Sequence, residues 1–532
     1  MNEAASWATL LALAVVIGVS AWLGALAQRA VHRGSFLRGY FLGNRSLGVW
    51  TMALTATVQS GGTFMGFPSL VYSYGWIVSL WIGAYMLVPL TGFAVLGKRL
   101  AQLSRRTGAI TVPDLFRGRF DSPAVGLVSS LLIMFCMASM MVAQFKAGAI
   151  LMKLAWPYGE SLSLSETAEV GIDVPYLVGL AIFAVTVVGY TMFGGFLASV
   201  WTDLFQSVLM VIGVMILVTL AVPAAGGLEE ATRRAVDATG PGFALGPGYS
   251  ADGREYLTLG LAVSFFIVWI FGGIASPASV VRVMAGKNTA VLRKSIFVLS
   301  TYNLFIYPPL IMICVAARSI MPNLPSSDEV IPRMALLMTK DLFGGPLLAG
   351  IILAAPFGAV MATVSSYLVV IASGAVRDIY QRFVNPAANE MVIRRITYLT
   401  MIVVGGIAVA LNIRPPEFLQ SIVVFCTSCG AAAFLTPAVM ACFWRRATAA
   451  GALAAMLSGM LVVLALFVVG SNTADPMIGP LTRFRPYFLF GLEPVVWGIA
   501  VSSVFGLAVS LATRPPSEEV VERMFGVESN GD

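Results

Sequence analysis

Charged side chains are scarce in this 532-residue chain. Asp, Glu, Lys and Arg together make up 11% of it, and there is one histidine. A water-soluble protein of this length needs a far larger charged surface. Hydrophobic residues account for 58% of the chain, and the mean hydropathy is +0.87. The composition therefore predicts an all-α polytopic membrane protein without a separate soluble domain.

Groups that could relay protons or carry out catalysis are also scarce inside the hydrophobic segments. Asp203, near the cytoplasmic start of the sixth segment, is the one carboxylate convincingly placed in such a segment, and His32 lies in a loop. Proton carriers use buried carboxylates or histidines, so this pattern favours sodium, which neutral oxygens can bind. The sequence shows no paired carboxylates, no nucleophile–base set and no phosphate-binding GK[ST] motif. We expect neither an enzyme nor an ATP-driven pump, and no cofactor apart from Na+ as a coupling ion.

The five cysteines all fall in hydrophobic segments, where cysteine acts as a small apolar residue. They are Cys136, Cys314, Cys426, Cys429 and Cys442. The spacing of Cys426 and Cys429 is that of a redox motif, but their helix is apolar and lacks a soluble α/β context. We therefore expect no transition-metal or redox site.

Thirteen hydrophobic segments are long enough to cross a bilayer. They are residues 7–27, 47–73, 75–97, 123–151, 174–193, 201–222, 257–275, 296–316, 347–374, 396–411, 421–442, 450–470 and 493–512. One alternate set of loops, with the C-terminal tail, contains 22 Lys and Arg, and the opposite set contains 10. Because basic residues concentrate on the cytoplasmic side, we predict a plasma (inner) membrane protein with its N-terminus outside and its C-terminus in the cytoplasm. The net charge of +7 then reflects topology and not nucleic-acid binding.

Two of these spans are interrupted by a glycine pair that a proline follows: Gly61–Gly62 before Pro68, and Gly272–Gly273 before Pro277. Each glycine inside a helix costs about 1 kcal/mol relative to alanine. Unwound backbone at membrane depth is tolerated only where it is buried in protein or lines a water-filled cavity. Interrupted helices at corresponding positions in two halves point to the binding site of a secondary transporter.

The interrupted spans lie five spans apart, which predicts two five-helix inverted repeats, 47–222 and 257–442. One helix, 7–27, precedes them, and two helices within 450–512 follow. Because five is odd, the second repeat enters the membrane from the opposite side, in agreement with the distribution of basic residues. The remaining tail, 513–532, is too short for a catalytic or sensory domain, and we expect a single transmembrane domain.

Small and hydroxyl residues cluster in the ninth span, from Ala359 to Ser366. Thr363 and Ser366 are three residues apart and share one helical face, which Ala359 and Ala362 complete. One interpretation is that these residues cement helix packing in lipid. The other is an ion site, in which the hydroxyls face free carbonyls of the interrupted second span near Ala56 and Gln59.

The chain resembles the sodium:solute symporter family, which contains proline, pantothenate, sialic acid and sugar symporters and has the LeuT-type inverted-repeat fold. The similarity covers nearly the whole chain, and the Trp-Thr-Asp and Asp-Ile-Tyr segments are specific in combination. The motifs that carry it are Tyr40–Gly48, Val112–Arg117, Gly194–Gln206, Ala359–Tyr380 and Phe443–Arg446 with Gly451.

The resemblance implies a main sodium site made of two carbonyls of the broken helix, matching Ala56 and Gln59, and of ninth-span groups matching Ala359, Ala362 and Thr363. Serine is usual at position 362, so one hydroxyl ligand is missing.

Some members of the family have a second sodium site, and its residues match Asp203, Ser365, Ser366 and again Ala362. These residues can equally line the path by which the ion is released.

The resemblance also implies which residues lie near substrate. Ser60, Gly61 and Gly62 match positions in the first broken helix, and Trp269 matches one in the second. Gln144 is a weaker candidate, since an amide can also serve a helix interface. Where proline symporters have an aspartate, this chain has Val58, which argues against simple identity with them.

Lys146 lies within the fourth span, where an ammonium group is costly unless it is paired or hydrated. Three interpretations remain open. The side chain could snorkel to the outer surface, it could be the counter-ion of a substrate carboxylate, or it could be a tethered cation that replaces a sodium ion.

The sequence thus predicts sodium-coupled symport of a small organic solute, most simply one with a carboxylate, by alternating access. The rival hypotheses are a sodium-independent or proton-coupled carrier of the same fold and a non-transporting membrane sensor. The expected partners are the solute, Na+ and the lipid bilayer. The substrate and the oligomeric state do not follow from the sequence.

Overall fold

The computed structural model describes residues 7–31, 36–56, 60–156, 173–245, 258–415, 419–473 and 484–526. Within these ranges every regular element is helical, and one isolated bridge joins Leu47 to Gly286. The all-α prediction is therefore confirmed. The α-helices of the first half are α1 Trp7–Val31, α2 Phe36–Leu42, α3 Val49–Ala56, α4 Phe67–Tyr74, α5 Ser79–Val88, α6 Lys98–Thr107, α7 Val112–Phe120, α8 Pro123–Ala155, α9 Val174–Ala224 and α10 Leu228–Thr239.

The second half of the chain repeats this pattern of long helices joined by short ones. Its α-helices are α11 Leu259–Ala275, α12 Pro277–Met284, α13 Thr289–Ile320, α14 Val330–Thr339, α15 Gly345–Ser373, α16 Glu390–Asn412, α17 Leu419–Phe443, α18 Ala449–Asn472, α19 Pro494–Ala512 and α20 Glu518–Phe525. Wider π-helical turns occur at Gly62–Gly66, Pro89–Gly97 and Gly374–Val384. Short 3₁₀ turns occur at Gly43–Arg45, Gly75–Val78, Pro241–Phe243, Ser327–Glu329 and Leu489–Gly491.

Ten helices in the described part of the chain are long and apolar enough to cross a membrane, or eleven if the sharply bent pair Gly62–Val78 and Gly83–Thr107 forms one span. The thirteen predicted spans all coincide with helical segments. One long helix contains two predicted spans, however, and other predicted spans consist of several short helices. The count of thirteen therefore stays a prediction. Large apolar side chains such as Val185 and Phe297 are mostly exposed, as expected of a surface that faces lipid.

Helix α9 contains two of the predicted spans and bends between them at Gly195. Its backbone there has φ 58° and ψ −145°, which is non-helical. A side chain at this position would be strained, and its Cβ would lie 2.6 Å from the ring of Tyr40. Glycine therefore allows one continuous stretch of chain to turn and to pack its two halves differently.

Both interrupted spans are present as broken helices. The first consists of α3, then a stretch that includes Thr57, Val58 and Gln59, which lie outside the described residues, and then the helix that begins at Gly62. The second consists of α11 and α12, which are separated at Ser276, where the backbone is extended. In this second span the break falls just before Pro277 and not at the glycine pair, because proline lacks the N–H that would continue the helix.

Helix α15 lies at the centre of the bundle. It packs against α9, α8 and α1, and its residues from Ile352 to Ser373 are all buried. Small residues along it allow this close approach. The ninth predicted span, which contains the small and hydroxyl cluster, is thus one of the most buried long helices of the described structure, together with α17.

Candidate functional site

The first broken helix and α15 form one wall of the candidate site. Val360 on α15 lies against Gly61, where an added Cβ would approach its Cγ2 to 3.3 Å. Ala359, Ala362 and Thr363 are all buried on α15. The structure therefore brings α15, the helix of these three predicted sodium ligands, against the break at Val360. Helix α3 ends at Ala56, and Gln59, the fifth predicted ligand, lies outside the described residues.

Hydroxyl groups on α15 are bonded to carbonyls of their own helix. The Thr363 Oγ1 donates to the Ala359 carbonyl at 3.0 Å. The Ala362 carbonyl accepts from Ser365 at 3.0 Å and from Ser366 at 2.6 Å. Since a carbonyl oxygen has two lone pairs, the carbonyl of Ala362 is already fully used in this conformation.

The predicted second sodium site is a compact polar cluster built around an arginine. The guanidinium of Arg282 on α12 donates to a carboxylate oxygen of Asp203 and to the hydroxyl of Ser366. Ser199, one helical turn before Asp203, lies 3.0 Å from Ser365 and 3.2 Å from Ser366, oxygen to oxygen. Both members of the Arg282–Asp203 pair are almost completely buried.

Arg282 and Ser199 were missed by the sequence analysis. The seventh predicted span ended at residue 275, whereas the structure continues with α12, which buries Arg282. The position of Ser199, one helical turn before Asp203 and just after the predicted span boundary, was the signal that could have found it. For Arg282 the only hint was its place six residues beyond the second break.

Side chains bond the backbone of the first break directly. The Gly61 N–H donates to the Oε1 of Gln144 at 2.7 Å, and the Gly62 N–H donates to the Oγ of Ser60 at 3.0 Å. The structure therefore brings together four of the predicted substrate residues. The Nε2 of Gln144 is buried and has no hydrogen-bond partner among the described residues. Gln144 thus serves the break and is not only an amide between helices.

Gln420, near the start of α17, is a second buried amide beside the first broken helix. Its side chain is 1% exposed, and neither its Nε2 nor its Oε1 has a hydrogen-bond partner in the described part of the chain. A Cβ added at Gly66 would lie 1.8 Å from the Oε1 of Gln420, so the two positions touch. Sequence analysis missed this residue because one amide at a predicted helix end is unremarkable.

Trp269 on α11 belongs to an aromatic series that joins the two broken helices. Its ring centroid lies 5.8 Å from that of Tyr85, which lies 5.0 Å from that of Tyr307. Tyr307 in turn lies 6.2 Å from Phe67, at the start of α4. Trp269 is thus connected to the first break through aromatic packing and forms another part of its surroundings.

Lys146 forms an ion pair with Asp328, with 2.8 Å between Nζ and Oδ2. The side chains of Lys146 and Asp328 are only 7% and 1% exposed. The snorkelling interpretation is therefore wrong, since the ammonium does not reach a surface. Asp328 lies in the 3₁₀ turn Ser327–Glu329, within a segment that the charge pattern places outside the membrane. The sequence could not identify Asp328 as the partner of Lys146, because 182 residues separate the two.

Comparison with known proteins identifies the family of the chain. A model of the sodium:solute symporter family matches residues 40–459. The chain is 31% identical over 467 residues to a sodium/pantothenate symporter from Haemophilus influenzae, covering 86% of this chain and 89% of that protein. It is 31% identical over 490 residues to a sodium/pantothenate symporter from Escherichia coli, with coverages of 90% and 94%. To a sodium/proline symporter from Staphylococcus aureus it is 28% identical over 526 residues, with coverages of 96% and 94%.

The fold is also that of a solved transporter. A substrate-bound, outward-open structure of a Na+-coupled sialic acid symporter superposes with a TM-score of 0.68 and 19% identity, over 96% of this chain and 99% of the other. At this identity the superposition speaks for the architecture alone.

Proposed function

Because the chain belongs to the sodium:solute symporter family, we propose that it imports a small carboxylate that also has amide or hydroxyl groups, together with Na+. The family and the relatives are sodium-coupled symporters and not enzymes. The observation that carries the choice of substrate is the pair of buried amides, Gln144 and Gln420, with unpartnered polar atoms beside the first break. Such atoms are costly to bury unless a ligand bonds to them.

The broken helix supplies complementary partial charges for the two ligands. The last carbonyls of α3 form the negative end of one helix, and the N–H groups from Gly62 onward form the positive end of the next. We place Na+ at the carbonyl end and the substrate carboxylate near the N–H end, as in other carriers with discontinuous helices. The amides of Gln144 and Gln420 would then bond the uncharged polar groups of the substrate.

The main sodium site would consist of the carbonyls of Ala56, Gln59 and Ala359 with the hydroxyl of Thr363. These are neutral oxygen donors, which fit a hard monovalent cation. Ala362 supplies no hydroxyl, and the Thr363 hydroxyl can bind the ion through its oxygen lone pairs while its proton stays on the Ala359 carbonyl. We therefore expect a site with few ligands and a modest sodium affinity.

We assign Asp203, Ser365 and Ser366 to the release path and not to a second resident sodium ion. In this conformation Arg282 already supplies a positive charge to Asp203 and Ser366, and the Ala362 carbonyl is saturated. The guanidinium thus neutralises the carboxylate and bonds α9, α12 and α15 together. The bonds of Arg282 have to rearrange before these helices can separate toward the cytoplasm.

Uptake into proteoliposomes tests the proposal. We expect an inward sodium gradient at fixed pH to drive accumulation of radiolabelled pantothenate, because this vitamin has a carboxylate, an amide and hydroxyl groups. Proline, which lacks the last two, serves as the matched comparison and should be taken up much less. A 100 mV potential supplies about 2.3 kcal/mol for each net charge that crosses. One Na+ and one carboxylate carry no net charge together, so the sodium concentration gradient has to drive this accumulation. Uptake that does not depend on sodium and is abolished by a protonophore would contradict the proposal.

A further inference from the structure

The Lys146–Asp328 pair connects α8 to residues 321–329, the segment that lies on the first broken helix. Besides the 2.8 Å bond to Lys146 on α8, the Asp328 Oδ2 accepts from the Leu419 N–H of α17 at 3.3 Å. Its Oδ1 is buried and has no hydrogen-bond partner among the described residues. One carboxylate thus connects α8, the start of α17 and the 3₁₀ turn Ser327–Glu329.

The segment that contains Asp328 also lies directly on α4, the second half of the broken helix. The Ser69 Oγ donates to the Ser327 Oγ at 2.5 Å, and the Tyr72 hydroxyl donates to the Met321 carbonyl at 2.6 Å. Apart from the ion pair, these contacts are single neutral hydrogen bonds, which are individually weak. Among these contacts the ion pair is the strongest, and it anchors the segment to α8, which itself bonds the break through Gln144.

Electrostatics makes this contact dependent on conformation. Two charges as buried as these are tolerated only as a pair, because either alone would remain unsolvated in a medium of low dielectric constant. When water enters between α8 and the segment, both charges become hydrated and the pair can open at little cost. The pair therefore favours either a dry, closed arrangement or a wet, open one, and disfavours intermediates.

A second lysine–aspartate pair on the same helix provides a contrast. Lys153 contacts Asp173, but its side chain is 20% exposed and that of Asp173 is 36% exposed. Water already reaches that pair, so opening it changes little. Lys153 and Asp173 thus make a matched control of the same chemistry without burial.

We propose that the Lys146–Asp328 pair is the latch of the outer gate. It is closed in this structure, with Ser327–Glu329 held over the first break, and it opens and hydrates when the site faces outward. The latch rests on the proposed transport function. It also gives Lys146 a protein carboxylate as its counter-ion, so that the substrate carboxylate is bound elsewhere.

Thiol labelling measures the latch independently of the substrate. Leu70 on α4 is 6% exposed in the closed structure, so a Leu70→Cys reporter reacts with a membrane-impermeant maleimide only when the outer side opens. The five native cysteines are buried, and the protein without the reporter gives the background. We expect Lys146→Met and Asp328→Asn each to raise the labelling rate at least threefold, whereas Lys153→Met and Asp173→Asn leave it unchanged.

A double variant keeps the test decisive if the single variants fold poorly. Lys146→Met/Asp328→Leu removes both charges, and replacing a whole buried pair with apolar groups is usually well tolerated. It should also show faster labelling, together with reduced sodium-driven accumulation and substrate affinity within threefold of the wild type.

Two results would overturn the latch. Labelling at the wild-type rate in the double variant would make the pair a permanent structural contact. A tenfold loss of substrate affinity in Lys146→Met but not in Asp328→Asn would make Lys146 the substrate counter-ion. Absence of uptake by the wild type would instead count against the proposed function and would leave the labelling comparison valid.

Discussion

Among individual residues, Ala362 and Thr363 set the strength of the proposed sodium site. Replacing the usual serine by Ala362 removes one hydroxyl ligand, and Thr363 is left as the only hydroxyl ligand that the resemblance implies. Its side chain is fully buried on α15 and donates to the Ala359 carbonyl, which leaves the lone pairs of the hydroxyl oxygen for an ion. Substitutions at Ala362 or Thr363 should therefore change the affinity for sodium more than the affinity for substrate.

Thr363→Ala should raise the sodium concentration for half-maximal uptake by roughly tenfold, because a hydrogen-bonding group that contacts a charge is worth about 1.5–3 kcal/mol. Ala362→Ser should lower the same concentration by restoring a ligand. Sodium titrations of uptake at saturating substrate measure both. Thr397→Ala is the control, since that buried threonine bonds its own helix on α16. Unchanged half-saturation in both variants would show that the sodium site lies elsewhere.

Arg282 shows how a single side chain can alter the interpretation of a whole cluster. Its ion pair with Asp203 is fully buried, and removing one member of such a pair costs about 3–5 kcal/mol. Sequence similarity grouped Asp203, Ser365 and Ser366 correctly, but it left out the cation that lies among them. The cluster therefore contains its own positive charge in the conformation described here.

Among the helices, the first broken one depends on close contact with α17. Its π-helical turn ends at Gly66, where there is no room for a methyl group beside the amide of Gln420. The glycine therefore brings a polar side chain of α17 directly onto the backbone of the broken helix. This contact, like the bond from Gly61 to Gln144, links the break to a separate element.

Gly66→Ala should displace the Gln420 amide and weaken substrate binding about as much as Gln420→Ala does. One neutral hydrogen bond is worth about 0.5–1.5 kcal/mol, which corresponds to roughly a two- to twelvefold loss. Binding of labelled substrate to purified protein measures the effect. In the double variant Gly66→Ala/Gln420→Ala the new methyl group has room, so the protein should be at least as stable as Gly66→Ala while its substrate affinity stays low. Gly83→Ala, which has open space around it, is the control. Full affinity in Gln420→Ala would remove this residue from the site.

For the molecule as a whole, the number of buried carboxylates exceeds the sequence expectation. Besides Asp203, the structure buries Asp114, Asp328, Asp378 and Glu493. Asp114 and Asp328 contact basic side chains, and Asp378 accepts from a threonine. Glu493 caps its own helix and accepts from Ser428. The chain thus uses most of these groups to join helices, and sodium remains the coupling ion that the family indicates.

Orientation in the membrane is a property of the whole chain that labelling can check. The distribution of basic residues predicts that Asp341 lies outside and that Ser517 lies in the cytoplasm, and both are exposed. An impermeant thiol reagent added to intact cells should therefore modify Asp341→Cys and not Ser517→Cys. Permeabilised cells, in which both should react, are the control. The reverse pattern would invert the topology.

Much of the architecture was predictable because its causes are local. Hydrophobic length predicts each span, glycine and proline interrupt helices through their own backbone properties, and basic loops follow the membrane potential and lipids. Breaks in both of these spans and membership of the family were therefore anticipated, although the second break lies at Ser276 and not at the predicted glycine pair. The motifs also predicted Ala359, Ala362 and Thr363 as neighbours on one buried helix.

The pairing of charges, by contrast, was decided only by the packing of distant helices. Lys146 and Asp328 are 182 residues apart, and Asp203 and Arg282 are 79 apart. Lys146 and Asp203 are conspicuous as charges in apolar spans, but nothing in the local sequence selects the partner of either. An ion pair forms where tertiary packing excludes water and brings two charges within bonding distance. For that reason the sequence identified Lys146 as unusual, whereas its carboxylate partner, and with it the proposed latch, became visible only in the folded bundle.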